Sequence, residues 1–130
     1  MIIEITAPYA AILGLIGLVL SVQVSIHRGK SGVSLGDGGD AKLLVKIRRF
    51  GNFIENVPLA LILMALAETV GLSAMWLHVA GGILILSRLI HPLGLDPDRP
   101  AAAARIIGSI SSKVAMLIPI VAILLNQFAG

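Results

Sequence analysis

Arg48, Asn52 and Glu55 are the first residues in the chain whose types and spacing suggest chemistry. They lie in the stretch 46–68, KIRRFGNFIENVPLALILMALAE. Their spacing of i, i+4 and i+7 puts them on one stripe of a helix, which Leu59, Ile62 and Leu66 continue. A guanidinium, an amide and a carboxylate thus lead straight into an apolar span. A carboxylate at the edge of a bilayer is costly without a partner, so it marks either a functional site or a structural salt bridge between helices. Further cations follow the same logic. Arg88 and His91 stand one helical turn apart. Arg28 follows the first apolar run, and Arg105 shares a face with Ser109 and Ser112. Lys113 lies off that face, two turns further on. This set suits a small ligand with several anionic groups and one ammonium. Arginines grip carboxylates bidentately, and Glu55 can pair with an amine or with a neighbouring arginine. An apolar slot deeper between the helices would take a second, greasy substrate.

The elements that must position these residues follow from composition. The chain has 130 residues, of which only 13% are charged, and a mean hydropathy of +0.98. A soluble domain of this size has too much surface for its volume to bury so much apolar area. The expected class is an all-α membrane protein: one domain, residues 1–130, folded as a bundle of four transmembrane helices. Residues 5–26 carry no charge and are long enough to cross a hydrocarbon core of ~30 Å at ~1.5 Å per residue. Gly14 and Gly17 give that span a small face for close helix approach. Its only early charge is Glu4 and no basic segment precedes it, so it is expected to be a retained anchor rather than a signal peptide.

Residues 27–41 are expected to form a loop, with Asp40 capping the second helix at 41–67. Gly71 stops that helix, and Pro58 lies inside it. The third helix is expected at 73–90, with Trp76 at an interface and Pro92 beyond its end. A loop holding Asp96, Pro97, Asp98, Arg99 and Pro100 leads to the fourth helix at 101–128, which contains Pro119.

Several function classes fall away. There is no cysteine, hence no disulfide, no thiolate metal site and no cysteine nucleophile; no metal centre is expected, and thiol chemistry must come from a bound ligand. Gly29-Lys30-Ser31 resembles the end of a phosphate-binding loop. The first glycine of that motif would fall on Val24, and no strand precedes it. The net charge of +3 does not require a nucleic acid. All ten Lys and Arg residues lie around the first and third connections, which share one side of a four-span protein. That bias orients a membrane protein and attracts anionic lipid.

Arg48-x-x-x-Asn52-x-x-Glu55-x-x-Pro58 followed by an apolar run resembles the second-helix signature of the MAPEG proteins, membrane-associated proteins in eicosanoid and glutathione metabolism. The length, the four spans, Gly36-Asp37-Gly38-Gly39 before the second helix and Arg88-Leu89-Ile90-His91 closing the third fit the same family, and the chain is most similar to its short bacterial members. The resemblance implies a homotrimer in the bacterial inner membrane, with glutathione as co-substrate between neighbouring subunits near the cytoplasmic side. It implies that Arg48, Asn52 and Glu55 bind the tripeptide, with Arg88 and His91 beside them. Arg105 would hold the sulfur as thiolate. Arg28 resembles an arginine proposed to act in leukotriene-forming members.

There are departures. Leu95 stands where eicosanoid enzymes keep a tyrosine, and Phe50-Gly51 replaces a small residue and a histidine. The spacing from Arg88 to Arg105 also differs from that of the enzymes. The function implied is glutathione transfer to an apolar electrophile, or reduction of a lipid hydroperoxide. Two alternatives stand beside it: a non-catalytic protein that binds lipid or glutathione, and a small proton-coupled transporter. The arginines around Glu55 argue against the transporter, because they hinder proton exchange.

The charge bias puts both termini in the periplasm. A C-terminal reporter active only in the cytoplasm should therefore stay silent, and activity of that fusion would reverse the orientation.

Overall fold

Four long helices alternate across the molecule: α1 (Thr6–Ser31), α2 (Ala41–Thr69), α3 (Ala74–Ile90) and α4 (Ala102–Phe128). A single 3-10 turn, His91–Gly94, extends α3. The computed structural model describes residues 2–95, 98 and 102–129. Asp96, Pro97, Arg99, Pro100 and the expected helix start at Ala101 lie outside the described residues. Each of the four helices is long and apolar enough to cross a membrane.

The helix ends follow from local chemistry. α1 does not stop at the first charged residues, as expected from the polar run beginning at His27. It continues to Ser31 and ends where Gly32 adopts φ +68°, a left-handed conformation that glycine reaches without steric cost. The connection is therefore 32–40 rather than 27–41, and Gly29, Lys30 and Ser31 are helical. Charge alone does not end a helix once it has left hydrocarbon.

Asp40 caps α2 as expected: its Oδ1 accepts from the amides of Lys42 (2.9 Å) and Leu43 (3.1 Å). Its Oδ2 lies 2.7 Å from His27 Nε2, and His27 Nδ1 lies 3.0 Å from Lys46 Nζ. The hydrogen bond from His27, seconded by the capping amide of Leu43, holds the Asp40 carboxyl below its ordinary range. The loop is thereby tied to both flanking helices.

Inside the bundle, Leu13, Leu20, Phe53, Val57, Met64 and Leu84 form the buried core. Glycines sit where helices come closest. A Cβ on Gly17 would lie 2.7 Å from the Phe53 ring, and one on Gly81 would lie 2.6 Å from the Tyr9 ring. Gly14 meets nothing within 4 Å, so only Gly17 of the expected pair serves packing. Outside, the chain presents Ile12, Leu15 and Val19 on α1 and Ile106, Ile110 and Leu117 on α4 to its surroundings. Water would penalise such a surface, whereas lipid chains match it.

The end opposite the basic loops is held by a contact that the sequence reading did not identify. No side chain of its own caps the start of α1. Glu68, in the last turn of α2, supplies the missing acceptors. Its Oε1 takes the amides of Glu4 and Ile5, both at 2.8 Å, and its Oε2 takes the Thr6 amide (2.9 Å) and hydroxyl (2.6 Å). Nearby, Asn126 Nδ2 donates to the Val70 carbonyl, so the N-terminus, the α2–α3 turn and the end of α4 meet at one level. Glu68→Ala should lower unfolding stability in detergent by about 1–2 kcal/mol, the usual worth of a lost N-cap, with Glu68→Gln in between. Unchanged thermal midpoints for both variants would remove this role from Glu68.

Candidate functional site

The structure separates the three residues of the α2 stripe by partner. Arg48 Nη1 and Glu55 Oε1 pair at 3.7 Å, with 53% and 58% of their side chains exposed. Leu59, Ile62 and Leu66 continue that stripe and are exposed as well. Asn52 turns inward instead. Its Oδ1 accepts a 2.7 Å hydrogen bond from Arg88 Nη1.

Arg88 is the centre of this arrangement and is 3% exposed. Its Nε donates to Ser87 Oγ (3.1 Å), and its Nη2 donates to the Gly108 carbonyl (3.1 Å) and to Ser112 Oγ. The two serines are satisfied in turn: Ser87 Oγ donates to the Leu84 carbonyl (2.7 Å), and Ser112 Oγ lies 2.9 Å from both the Gly108 carbonyl and Ser87 Oγ. Among the described residues no carboxylate pairs with this guanidinium. All of these partners among the described residues are neutral, so none of them compensates its charge.

His91 is buried at the start of the 3-10 turn, and its backbone and Cβ lie where a Cβ on Gly108 would fall, 2.7–2.9 Å away. Only glycine at 108 lets α4 approach this closely. Asn52, His91, Arg105, Ile106, Ser109 and Ile110 line a pocket of about 290 Å³ between α2 and α4. Arg88, Arg105, Lys113 and Arg48 all act electrostatically on His91, so the pocket lies in a positive field. Burial in low dielectric strengthens such a field relative to water. The pocket can therefore receive an anion, with Arg105 at its wall and the Asn52 amide beside it.

The site residues expected from the sequence thus divide. Asn52, His91 and Arg105 line the pocket, and Arg48 and Glu55 stand together on the exposed face of α2. Arg88 supports Asn52 from behind. Arg28 lies elsewhere: its Nη1 donates to the carbonyls of Gly36 (2.7 Å) and Val33 (3.4 Å), bracing the first loop. Leu95 contributes only a carbonyl, which accepts from Arg49 Nη2 at 2.7 Å. Ser109 and Ser112, expected on one face, also part company: Ser109 lines the pocket and Ser112 serves the buried arginine. The role of Ser87 went unread, since a serine in an apolar helix gives no periodic signal. Among the described residues no cluster of His, Cys, Asp or Glu could hold a metal.

Comparison with known proteins identifies the family of the chain. The model of the MAPEG family matches residues 6–125. Inner membrane protein YecN of Escherichia coli (strain K12) is 34% identical over 90 residues, covering 69% of this chain and 69% of the relative. The YecN of Escherichia coli O6:H1 matches to the same extent. No solved structure matches the chain significantly.

Proposed function

Because the chain belongs to the MAPEG family, we propose that it is an inner-membrane glutathione-binding protein that transfers the tripeptide to an apolar electrophile or uses it to reduce a lipid hydroperoxide. The observation that supports the reading most is the pocket between α2 and α4. It joins an amide, an imidazole and a guanidinium in the field of Arg48, Arg88, Arg105 and Lys113, with no acid among its described lining residues. Glutathione brings two carboxylates, one ammonium and a thiol. Its carboxylates match Arg48 and the Asn52 amide, and its ammonium matches Glu55. The relative's membrane location supports the assignment to the inner membrane.

In this reading the exposed stripe of Arg48, Glu55, Leu59, Ile62 and Leu66 lies against a neighbouring subunit of a homotrimer, which would take the ion pair out of lipid. Arg105 is left for the sulfur. A thiol of ordinary pKa near ~8.5 is mostly protonated at neutral pH, and a fixed cation beside it favours the thiolate nucleophile. The thiolate attacks the electrophilic carbon, a carbon–sulfur bond forms, and the leaving group departs with the electron pair.

The test follows the sulfur. Thiolate absorbs in the ultraviolet and can be recorded while glutathione is titrated into the detergent-solubilised protein at neutral pH. Wild type should show thiolate. Arg105→Ala should bind with nearly the same affinity but show it only at higher pH. Arg48→Ala and Glu55→Ala should instead weaken binding by about 2 kcal/mol each, the cost of stranding a poorly solvated charge. Equal thiolate in wild type and Arg105→Ala would remove Arg105 from the chemistry.

A further inference from the structure

Ser109 and Lys113 have no part in the reaction proposed above. They stand one turn apart on α4, at i and i+4. Lys113 Nζ donates to Ser109 Oγ at 2.7 Å, and its contact with the Ser109 carbonyl is longer, 3.4 Å. The neighbouring Ser112 is occupied by the buried arginine: its Oγ accepts from Arg88 and lies 2.9 Å from Ser87 Oγ. Ser109 instead lines the pocket between α2 and α4, with Asn52, His91, Arg105, Ile106 and Ile110. A lysine in an apolar helix turns its charged end toward the interface. Here that turn brings the amine onto a hydroxyl that faces a pocket.

Three parts of an acyl-transfer site therefore meet. A serine hydroxyl stands within hydrogen-bond reach of an amine, the pairing that activates the nucleophile in Ser–Lys enzymes. The Asn52 amide nitrogen is a donor, since its Oδ1 is bonded to Arg88 Nη1. Arg105 adds a fixed cation at the wall. A donor and a cation beside a nucleophile serve the oxyanion and the leaving group that develop during acyl transfer.

We propose that Ser109 and Lys113 are the nucleophile and base of a second activity, hydrolysis of acyl thioesters of glutathione. The inference rests on the glutathione reading for its leaving group, but the reaction differs from conjugation and from peroxide reduction. The tripeptide part brings the carboxylates that suit a cationic pocket, and Ile106 and Ile110 offer the acyl group an apolar wall. A thioester fits better than an oxygen ester. A thiol has an ordinary pKa of only ~8.5, so its sulfur leaves as thiolate without the proton an alkoxide would need.

The neutral amine of Lys113 takes the Ser109 proton as Oγ attacks the thioester carbon. A carbon–oxygen bond forms, and the carbonyl electron pair moves onto oxygen, where the Asn52 amide can donate to it. Collapse breaks the carbon–sulfur bond. Sulfur departs with the pair as thiolate and takes the proton from Lys113. The freed amine then takes a proton from water, whose oxygen attacks the acyl-serine. The bond to Oγ breaks, Oγ recovers its proton from Lys113, and a carboxylic acid leaves.

The chain has no cysteine, so any thiol released comes from the substrate. Detergent-solubilised protein is mixed with S-benzoyl glutathione, thiol is followed with a chromogenic disulfide, and acid-quenched protein is mapped by peptide mass spectrometry. Wild type should release thiol over many turnovers and carry benzoyl on Ser109. Ser109→Ala and Lys113→Arg should each slow release by about a hundredfold or more. Lys113→Arg keeps the charge and can still donate to Ser109, but arginine cannot accept a proton. A merely structural contact would survive that change. S-benzyl glutathione, a thioether that cannot be cleaved, should bind wild type and both variants alike by calorimetry, which shows that the pocket is intact. Thioether binding without thiol release would overturn the thioesterase and leave the glutathione reading standing, whereas no thioether binding would overturn both. Wild-type rates in Lys113→Arg, or benzoyl on Lys113 rather than Ser109, would also overturn the proposal.

Discussion

A guanidinium buried in a membrane bundle, with no carboxylate paired to it among the described residues, is the constraint on which the basic half of this molecule rests. An ion taken out of water must be satisfied by hydrogen bonds or it opens the structure. Arg88 meets that demand by drawing on three helices at once: Ser87 from its own helix, Asn52 from α2, and Ser112 with the Gly108 carbonyl from α4. Each partner must stand at hydrogen-bond distance, so Arg88 sets how far apart α2, α3 and α4 lie at this level. Gly108 completes the fit, because a side chain there would strike His91.

The same interaction shapes the pocket. With its Oδ1 bonded to Arg88, the Asn52 amide is oriented so that its nitrogen is the end left for another partner. Asn52 then acts as a donor, which suits a carboxylate or a peptide carbonyl. The charge of Arg88 is not cancelled by its neutral partners, so it adds to that of Arg105, Lys113 and Arg48 around His91. A ligand anion entering the pocket would supply the compensation that the described residues do not. A buried cation held by dipoles, rather than by an acid, is a means of storing affinity for an anion.

Much of this was legible in the sequence. Four spans follow from hydropathy and length, because in lipid the backbone must satisfy itself within helices. The Asp40 cap follows from its type and place. Arg48, Asn52 and Glu55 followed from spacing, but which of them would turn inward did not. Residues at i and i+4 differ by only about 40° on a helix, and the decision rests on a partner 36 residues away. The Glu68 cap and the contact of His27 with Asp40 and Lys46 were missed for the same reason, since each joins separate elements and leaves no periodic trace. Arg28 joins the expected site by its level and by family resemblance, yet two nearby loop carbonyls capture it. Polarity beginning at His27 points to a helix end a turn early, whereas the glycine at 32 is the stop.

The central question is whether the cationic pocket takes an anionic tripeptide. Calorimetric titration of the detergent-solubilised protein with glutathione, and with glutathione whose two carboxylates are esterified, addresses this directly. Saturable heat is expected for glutathione and none for the diester at the same concentrations. No heat for glutathione, or equal binding of the diester, would contradict it.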